Sequence, residues 1–109
     1  MSEFGAHDVT RQFEAALCRY TGAKYAVTTT SCTMAILLSL AWRRACDPVT
    51  DKVSIPKLSY VGVPASVRQA GFIPTFRDED WQGEYQFYPM TLRVWDSARR
   101  FTSNMFRRG

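Results

Sequence analysis

Residues 53–76 read VSIPKLSYVGVPASVRQAGFIPTF, and the alternation of apolar runs and breakers along this stretch decides the fold class. Val53, Ile55, Leu58 and Tyr60 suit a strand that Pro56 interrupts or ends, because proline has no N–H to give a ladder. Pro64 fits the first turn of a short helix running to Gln69, with Ala70-Gly71 as its stop. Phe72 to Phe76 is strand-like again, and the acidic turn Asp78-Glu79-Asp80 comes after it. A strand, a helix and a second strand in so few residues point to parallel pairing through a crossover helix.

The flanks extend that pattern. Upstream, Thr33 to Cys46 is apolar nearly all round, through Met34, Ile36, Leu37, Leu38 and Leu40, so a helix buried on several sides is expected. Arg43 and Arg44 complement its C-terminal dipole, and Asp47-Pro48 ends it. Before it, Tyr25, Val27 and the threonines of Lys24 to Thr29 suit a short strand. Earlier still, Val9, Phe13, Ala16, Leu17 and Tyr20 fall at helical spacing between Asp8 or Thr10 as cap and Gly22 as stop. Downstream, Trp81 to Met90 is broken by Gln82, Gly83 and Pro89 yet rich in aromatics, which predicts a packed irregular loop. Leu92 to Trp95 is a final short strand delivering Asp96, with loop-like residues after it. The expected architecture is a single α/β domain over 1–109: three layers, α/β/α, around a mostly parallel sheet.

Composition narrows the function classes. With 46% hydrophobic and 14% aromatic residues the chain is globular rather than disordered. The net charge of +4 is not spread along it: residues 1–92 carry nine basic and nine acidic side chains, and the surplus comes from Arg93, Arg99, Arg100, Arg107 and Arg108 against Asp96. So short a basic segment reads as a solvated face or an anion contact, and nucleic acid is not expected as a partner. Cys18, Cys32 and Cys46 match no zinc or redox spacing, His7 has no ligand-spaced companion, and no metal is expected. Without a signal-like or spanning segment in these residues, a cytoplasmic location is expected.

Three places could carry chemistry. Thr28 to Thr33, leading into the apolar helix, offers hydroxyls beside free amide N–H groups: a phosphate cradle, or plain capping by Ser31 or Thr30. Asp96, ending a strand, sits where ligands bind in parallel α/β sheets and could pair with a protonated ring nitrogen; equally it could cap the next segment of chain or pair with Arg99 or Arg100. Tyr60 could stack on a planar ligand at the same edge or belong to the core. Trp42, Trp81 and Trp95 read as packing residues, and no Gly-rich phosphate loop, serine-hydrolase elbow or zinc-protease pair occurs.

Taken in order, these segments resemble the sugar-type aminotransferases of the DegT/DnrJ/EryC1/StrS family, which use pyridoxal 5′-phosphate on an aspartate aminotransferase-like fold. The resemblance runs through Phe13-Glu14, Tyr20-Thr21-Gly22-Ala23-Lys24-Tyr25-Ala26-Val27, Ser31-Cys32-Thr33-Met34-Ala35, Ile55-Pro56 to Tyr60, Ala70-Gly71-Phe72-Ile73-Pro74, Phe76-Arg77-Asp78 and Trp95-Asp96-Ser97-Ala98. It implies that Thr33 and the Met34 amide hold the cofactor phosphate, that Tyr60 stacks on the ring and that Asp96 pairs with its nitrogen. Cys32 and Ala98 join them as cofactor-binding residues. It implies nucleotide-linked keto sugars as acceptors and an amino acid as donor.

Departures from the family accompany the resemblance. Cys32 replaces a glycine, Arg99 stands where a glutamine is usual, and the aromatic loop replaces a strand-and-helix unit between Asp78 and Asp96. The Schiff-base lysine of the family comes after a Ser-Phe-His-like strand, whereas the lysines here are Lys24, Lys52 and Lys57, none in that context. The expectation is therefore a truncated large domain without a catalytic residue and inactive alone. A small binding module, self-associating or joined to a partner chain, is the alternative.

Overall fold

A computed structural model describes residues 6–46 and 51–106, in two compact units: one holds the chain up to Thr28 and again from Phe101, the other Thr29–Arg100. Asp47-Pro48, expected to stop the second helix, and Arg107 and Arg108 lie outside the described residues.

In the first unit, α1 (Ala6–Thr21) forms where the helical spacing predicts it. The Thr21 hydroxyl donates back to the Leu17 carbonyl at 2.7 Å, and Gly22, at φ +84°, donates its N–H to the Cys18 carbonyl. That left-handed position is one that glycine adopts without a Cβ penalty. The Phe101 ring stacks on Tyr20 at 4.8 Å, and the amides of Asn104 and Phe106 donate to the Tyr20 and Thr21 carbonyls. The strand expected over Lys24 to Thr29 is absent. Its polar groups find a side chain instead of a ladder: the Thr28 amide and hydroxyl both donate to Glu14 Oε2, while Tyr25 and Val27 remain exposed. β-Propensity without a neighbouring strand does not make a strand.

The second unit carries the core. α2 (Cys32–Cys46) opens on Ser31, whose hydroxyl accepts the Met34 amide at 3.1 Å and whose carbonyl accepts that of Ala35. The expectation that this helix is buried on several sides fails. Only Ile36 and Leu40 are fully inside, whereas Leu38 and Trp42 are 51% and 66% exposed. A single stripe is covered because α3 is the helix packed against it.

β1 (Lys52–Pro56) pairs in parallel with β2 (Ile73–Arg77), in register from Lys52 against Ile73 to Pro56 against Arg77. Between them α3 (Gly62–Gln69) buries Val63, Ser66 and Val67, the i, i+3, i+4 set of one helical face. Gly71, at φ +98°, reverses the chain into β2 as the sequence predicts.

The aromatic stretch is packed, as expected, but it is not wholly irregular. β3 (Tyr85–Gln86) pairs antiparallel with β4 (Trp95–Asp96), and Tyr88 bridges to Ser54 of β1. The strand expected over Leu92 to Trp95 is displaced and shorter. Met90–Leu92 is a 3₁₀ turn, and Arg93 in the left-handed region (φ 56°) turns the chain so that only Trp95 and Asp96 pair. Asp96 therefore ends an antiparallel strand, not one of a parallel sheet. The architecture is mixed α/β, with three helices, one parallel strand pair and one antiparallel pair among the described residues. The core joins Leu40 and Ile36 of α2, Val53 and Ile55 of β1, Val67 of α3, and Tyr85 and Phe87 of the aromatic stretch. Each such side chain contributes about 1.5–3 kcal/mol by leaving water.

Candidate functional site

Asp96 is the best-held polar group in the core. It is 9% exposed, and three donors meet it: the Tyr85 hydroxyl at 2.8 Å from Oδ2, the Ala98 amide at 3.1 Å from Oδ1, and the Cys32 thiol at 3.9 Å from Oδ1. The Ala98 bond makes Asp96 the first residue of an Asx turn, which stops β4 and orients the carboxylate. Of the arginines considered as partners, Arg100 pairs with Glu84 at 3.2 Å, and Arg99 lies over the Trp81 ring at 5.8 Å. The carboxylate is left to Tyr85, Ala98 and Cys32.

The electrostatics follow from this enclosure. Burial, reinforced by the bond to Asp96 and its charge, pushes the Tyr85 phenol far above its ordinary 10.0. At neutral pH it stays protonated and donates to Asp96. Cys32 is exposed as a residue, yet partial desolvation of its thiol also pushes it upward, followed by the charge of Asp96 and its hydrogen bond. The thiol is therefore a weak nucleophile at neutral pH.

Cys32, Asp96 and Ala98 line one hollow of 260 Å³, with Ala35, Ile36 and Ser39 of α2 along its side. A second hollow of 340 Å³ shares Ser39, Val94 and Trp95 with the first and adds Trp42, Arg43 and Arg93. Thr33, on the first turn of α2, and Tyr60 line neither of these hollows and instead flank Gly62. A Cβ built on Gly62 would lie 3.0 Å from Thr33 Oγ1 and 3.1 Å from Tyr60 Cε1, so glycine there keeps room for both side chains. The Ser66 hydroxyl lies 2.9 Å from the Gly62 carbonyl of its own helix and 3.2 Å from the Thr33 carbonyl, so its one proton is shared between α3 and this turn. Tyr60 itself is 72% exposed and is no core residue. The Met34 amide donates to Ser31, the capping arrangement, which leaves Cys32 and Thr33 as the other first-turn amides.

The model of the DegT/DnrJ/EryC1/StrS aminotransferase family matches residues 3–90 of the 109. The chain belongs to this family. No curated protein and no solved structure matches it. The aminotransferase-family match takes in Cys32, Thr33, Met34 and Tyr60 and stops short of Asp96 and Ala98, so the case for those two rests on geometry. Pyridoxal 5′-phosphate, on which the family generally depends, is compatible with the residues present. The Asp96 carboxylate and Cys32 of the α2 first turn line one hollow, and the next residue of that turn, Thr33, keeps its hydroxyl beside a Cβ-free glycine. No lysine lines the hollow; Lys57 is exposed and faces Asp78 at 4.0 Å.

Tyr85 carries no signature in the sequence of the role it has here. It lies in a run whose period Gly83 and Pro89 break, and no pattern links it to residue 96. One signal was present: a tyrosine in a segment too apolar to face water needs a partner for its hydroxyl. The nearest later carboxylate in the sequence is Asp96.

Proposed function

We propose that this chain supplies the pyridoxal 5′-phosphate-binding part of an aminotransferase large domain, of three-layer α/β/α type, acting in the cytoplasm on nucleotide-linked keto sugars with an amino-acid donor. The observation that carries the reading is the 3.9 Å contact between Cys32 and Asp96, which brings the first turn of α2 against the one buried carboxylate among the described residues. Those are the two ends that a phosphorylated, protonated ring requires.

In this reading the Thr33 hydroxyl and the Cys32 and Thr33 amides take the phosphate, helped by the helix dipole, while the Met34 amide stays with the Ser31 hydroxyl. Tyr60, exposed beside Thr33, offers its ring face. Asp96 accepts from the ring nitrogen and holds a proton there. When bound, the cofactor supplies an electron sink for the carbon that loses its proton. The guanidinium groups of Arg43 and Arg93 in the adjoining hollow suit the carboxylate or phosphate of a substrate. Because no lysine lines the hollow, these 109 residues are proposed to bind without turning over.

Equilibrium dialysis and absorbance with added pyridoxal 5′-phosphate test this. The expected result is saturable binding that Asp96→Ala weakens, with no transamination. Absence of saturable binding at millimolar cofactor overturns the assignment, and turnover by this chain alone overturns its inactivity.

A second reading, a non-catalytic oligomerisation module, is favoured by the exposed apolar residues Leu38 and Trp42 on α2 and Val9 and Phe13 on α1. Size-exclusion with light scattering separates the two, since a clean monomer at high concentration removes the module.

A further inference from the structure

The aromatic stretch around β3 has a polar purpose. Tyr85 is 2% exposed, its ring packed edge-on to Trp81 at 4.8 Å and tilted against Phe87 at 5.4 Å. A phenylalanine would fill that space equally well. The hydroxyl is what distinguishes it, and that hydroxyl reaches one atom, Asp96 Oδ2, at 2.8 Å.

An ionised carboxylate offers roughly four lone-pair positions. On Oδ1 the Ala98 amide and the Cys32 thiol take both, and on Oδ2 Tyr85 takes one. We infer that Tyr85 and Cys32 are positioning residues for Asp96, clamping it so that a single acceptor position on Oδ2 is left for the ring nitrogen of a bound cofactor. The ring-nitrogen part of this inference rests on the proposed function; the clamp does not.

The clamp draws on separate elements: Tyr85 from β3, Cys32 from α2 and the Ala98 amide from the turn after β4. Arg77 is the cation acting on Tyr85, and it opposes the rise in the phenol's proton affinity without reversing it. Arg77 also sets the height of β3, since its guanidinium donates to the Gln86 carbonyl at 2.6 Å. Cys32, in place of a glycine, thereby acquires a role that glycine cannot have: it closes one side of the carboxylate.

The experiment uses the full chain and two readouts. The first, without cofactor, is the rate of Cys32 alkylation by iodoacetamide across pH, tracked on its own peptide by mass spectrometry so that Cys18 and Cys46 do not interfere. Tyr85→Phe releases Asp96 from its fixed position, so the thiol loses part of the carboxylate's influence and alkylates several-fold faster at a given pH, as it does in Asp96→Asn. The second is the dissociation constant for pyridoxal 5′-phosphate, expected to rise roughly tenfold in Tyr85→Phe, the loss of one hydrogen bond to a charged group. Cys32→Ala, at an exposed position, gives the same direction on binding with little risk to folding.

A Tyr85→Phe chain that melts like the parent, with the parent's alkylation profile, overturns the clamp. An altered alkylation profile with an unchanged dissociation constant overturns the ring-nitrogen assignment. A parent chain that binds no cofactor overturns that assignment together with the proposed function, while the alkylation profile still decides the clamp.

Discussion

The two strand pairs of the second unit are built on different principles. β1 and β2 run parallel over five residues each, joined by a helix, and their backbone ladder sets their register. β3 and β4 have two residues each, too few for a ladder to hold, yet they and their neighbours bury Tyr85 and Phe87, the two largest fully enclosed side chains. The first pair is specified by backbone hydrogen bonds and apolar periodicity. The second is specified by side chains, and it is the one that delivers the carboxylate of the candidate site. An element with little regular structure can therefore be as well determined as a regular one, provided its side chains are enclosed.

Truncating one core residue on each side breaks this comparison most directly. Phe87→Ala in the short pair is expected to cost about 3–5 kcal/mol, and Ile55→Ala, fully buried in β1 of the regular pair, about 2–5 kcal/mol. Urea unfolding monitored by tryptophan fluorescence measures both. If Phe87→Ala costs under about 1 kcal/mol, the aromatic stretch is a loose flap and the comparison fails.

Next in size is the residue that ties the pairs together. Arg77, at the end of β2, donates to the Ser54 carbonyl of β1 and the Gln86 carbonyl of β3, both at 2.6 Å, pairs with Glu79 and lies over the Tyr88 ring at 3.9 Å. Arg77→Met keeps much of the packing, strips the Gln86 carbonyl of the guanidinium and leaves the Ser54 carbonyl to the Tyr88 amide alone. A loss of about 2–3 kcal/mol is expected. Near-UV circular dichroism should show the environment of Tyr85 in the short pair altered, the parallel pair holding no tyrosine of its own.

How much was legible obeys the same division. Val53 to Phe76 announced two strands and a helix because Pro56, Pro64 and Gly71 punctuate periodic runs, and all three elements formed within a few residues of expectation. Lys24 to Thr29 carried strand-like residues but no strand, since Glu14, fourteen positions earlier, takes the Thr28 donors. The apolar run of α2 announced a helix correctly and overstated its burial, because composition counts apolar residues and not the neighbours available to cover them. At the site, the sequence singled out Asp96 and the first turn of α2 separately, and the structure brings them together. Their meeting across 64 positions of sequence and the hydroxyl of Tyr85 were not legible, because tertiary proximity leaves no periodic trace.

Alkaline titration sharpens the account of the short pair. Tyr85 and Cys32 both have proton affinities raised by folding, above ordinary values of 10.0 and 9.0. When a folded-state pKa lies above the unfolded one, the stabilisation is complete below the unfolded value and is lost as pH rises past it. Above about pH 9 the unfolded chain sheds protons that the folded chain keeps, so stability falls with pH, at no more than ~1.4 kcal/mol per pH unit for each proton. Thermal melts from pH 8 to 11 should show this fall, and Tyr85→Phe should flatten its upper part.

The smallest effect is expected beside Arg77, which makes it a useful control on ion pairs as such. Lys57 faces Asp78 at 4.0 Å, with side chains 60% and 93% exposed, whereas the Arg77 and Glu79 side chains are 16% and 34% exposed. Two pairs of the same sign pattern thus sit on the same edge of the parallel sheet and differ in enclosure. Water and salt screen the first, and ordering a lysine chain opposes what attraction remains. Lys57→Ala should change unfolding free energy by less than about 0.5 kcal/mol, with no salt dependence beyond the parent's. If its effect instead approaches that of Arg77→Met, then charge alone rather than the carbonyls of Ser54 and Gln86 holds this edge, and Arg77 loses its place as the tie between the two strand pairs.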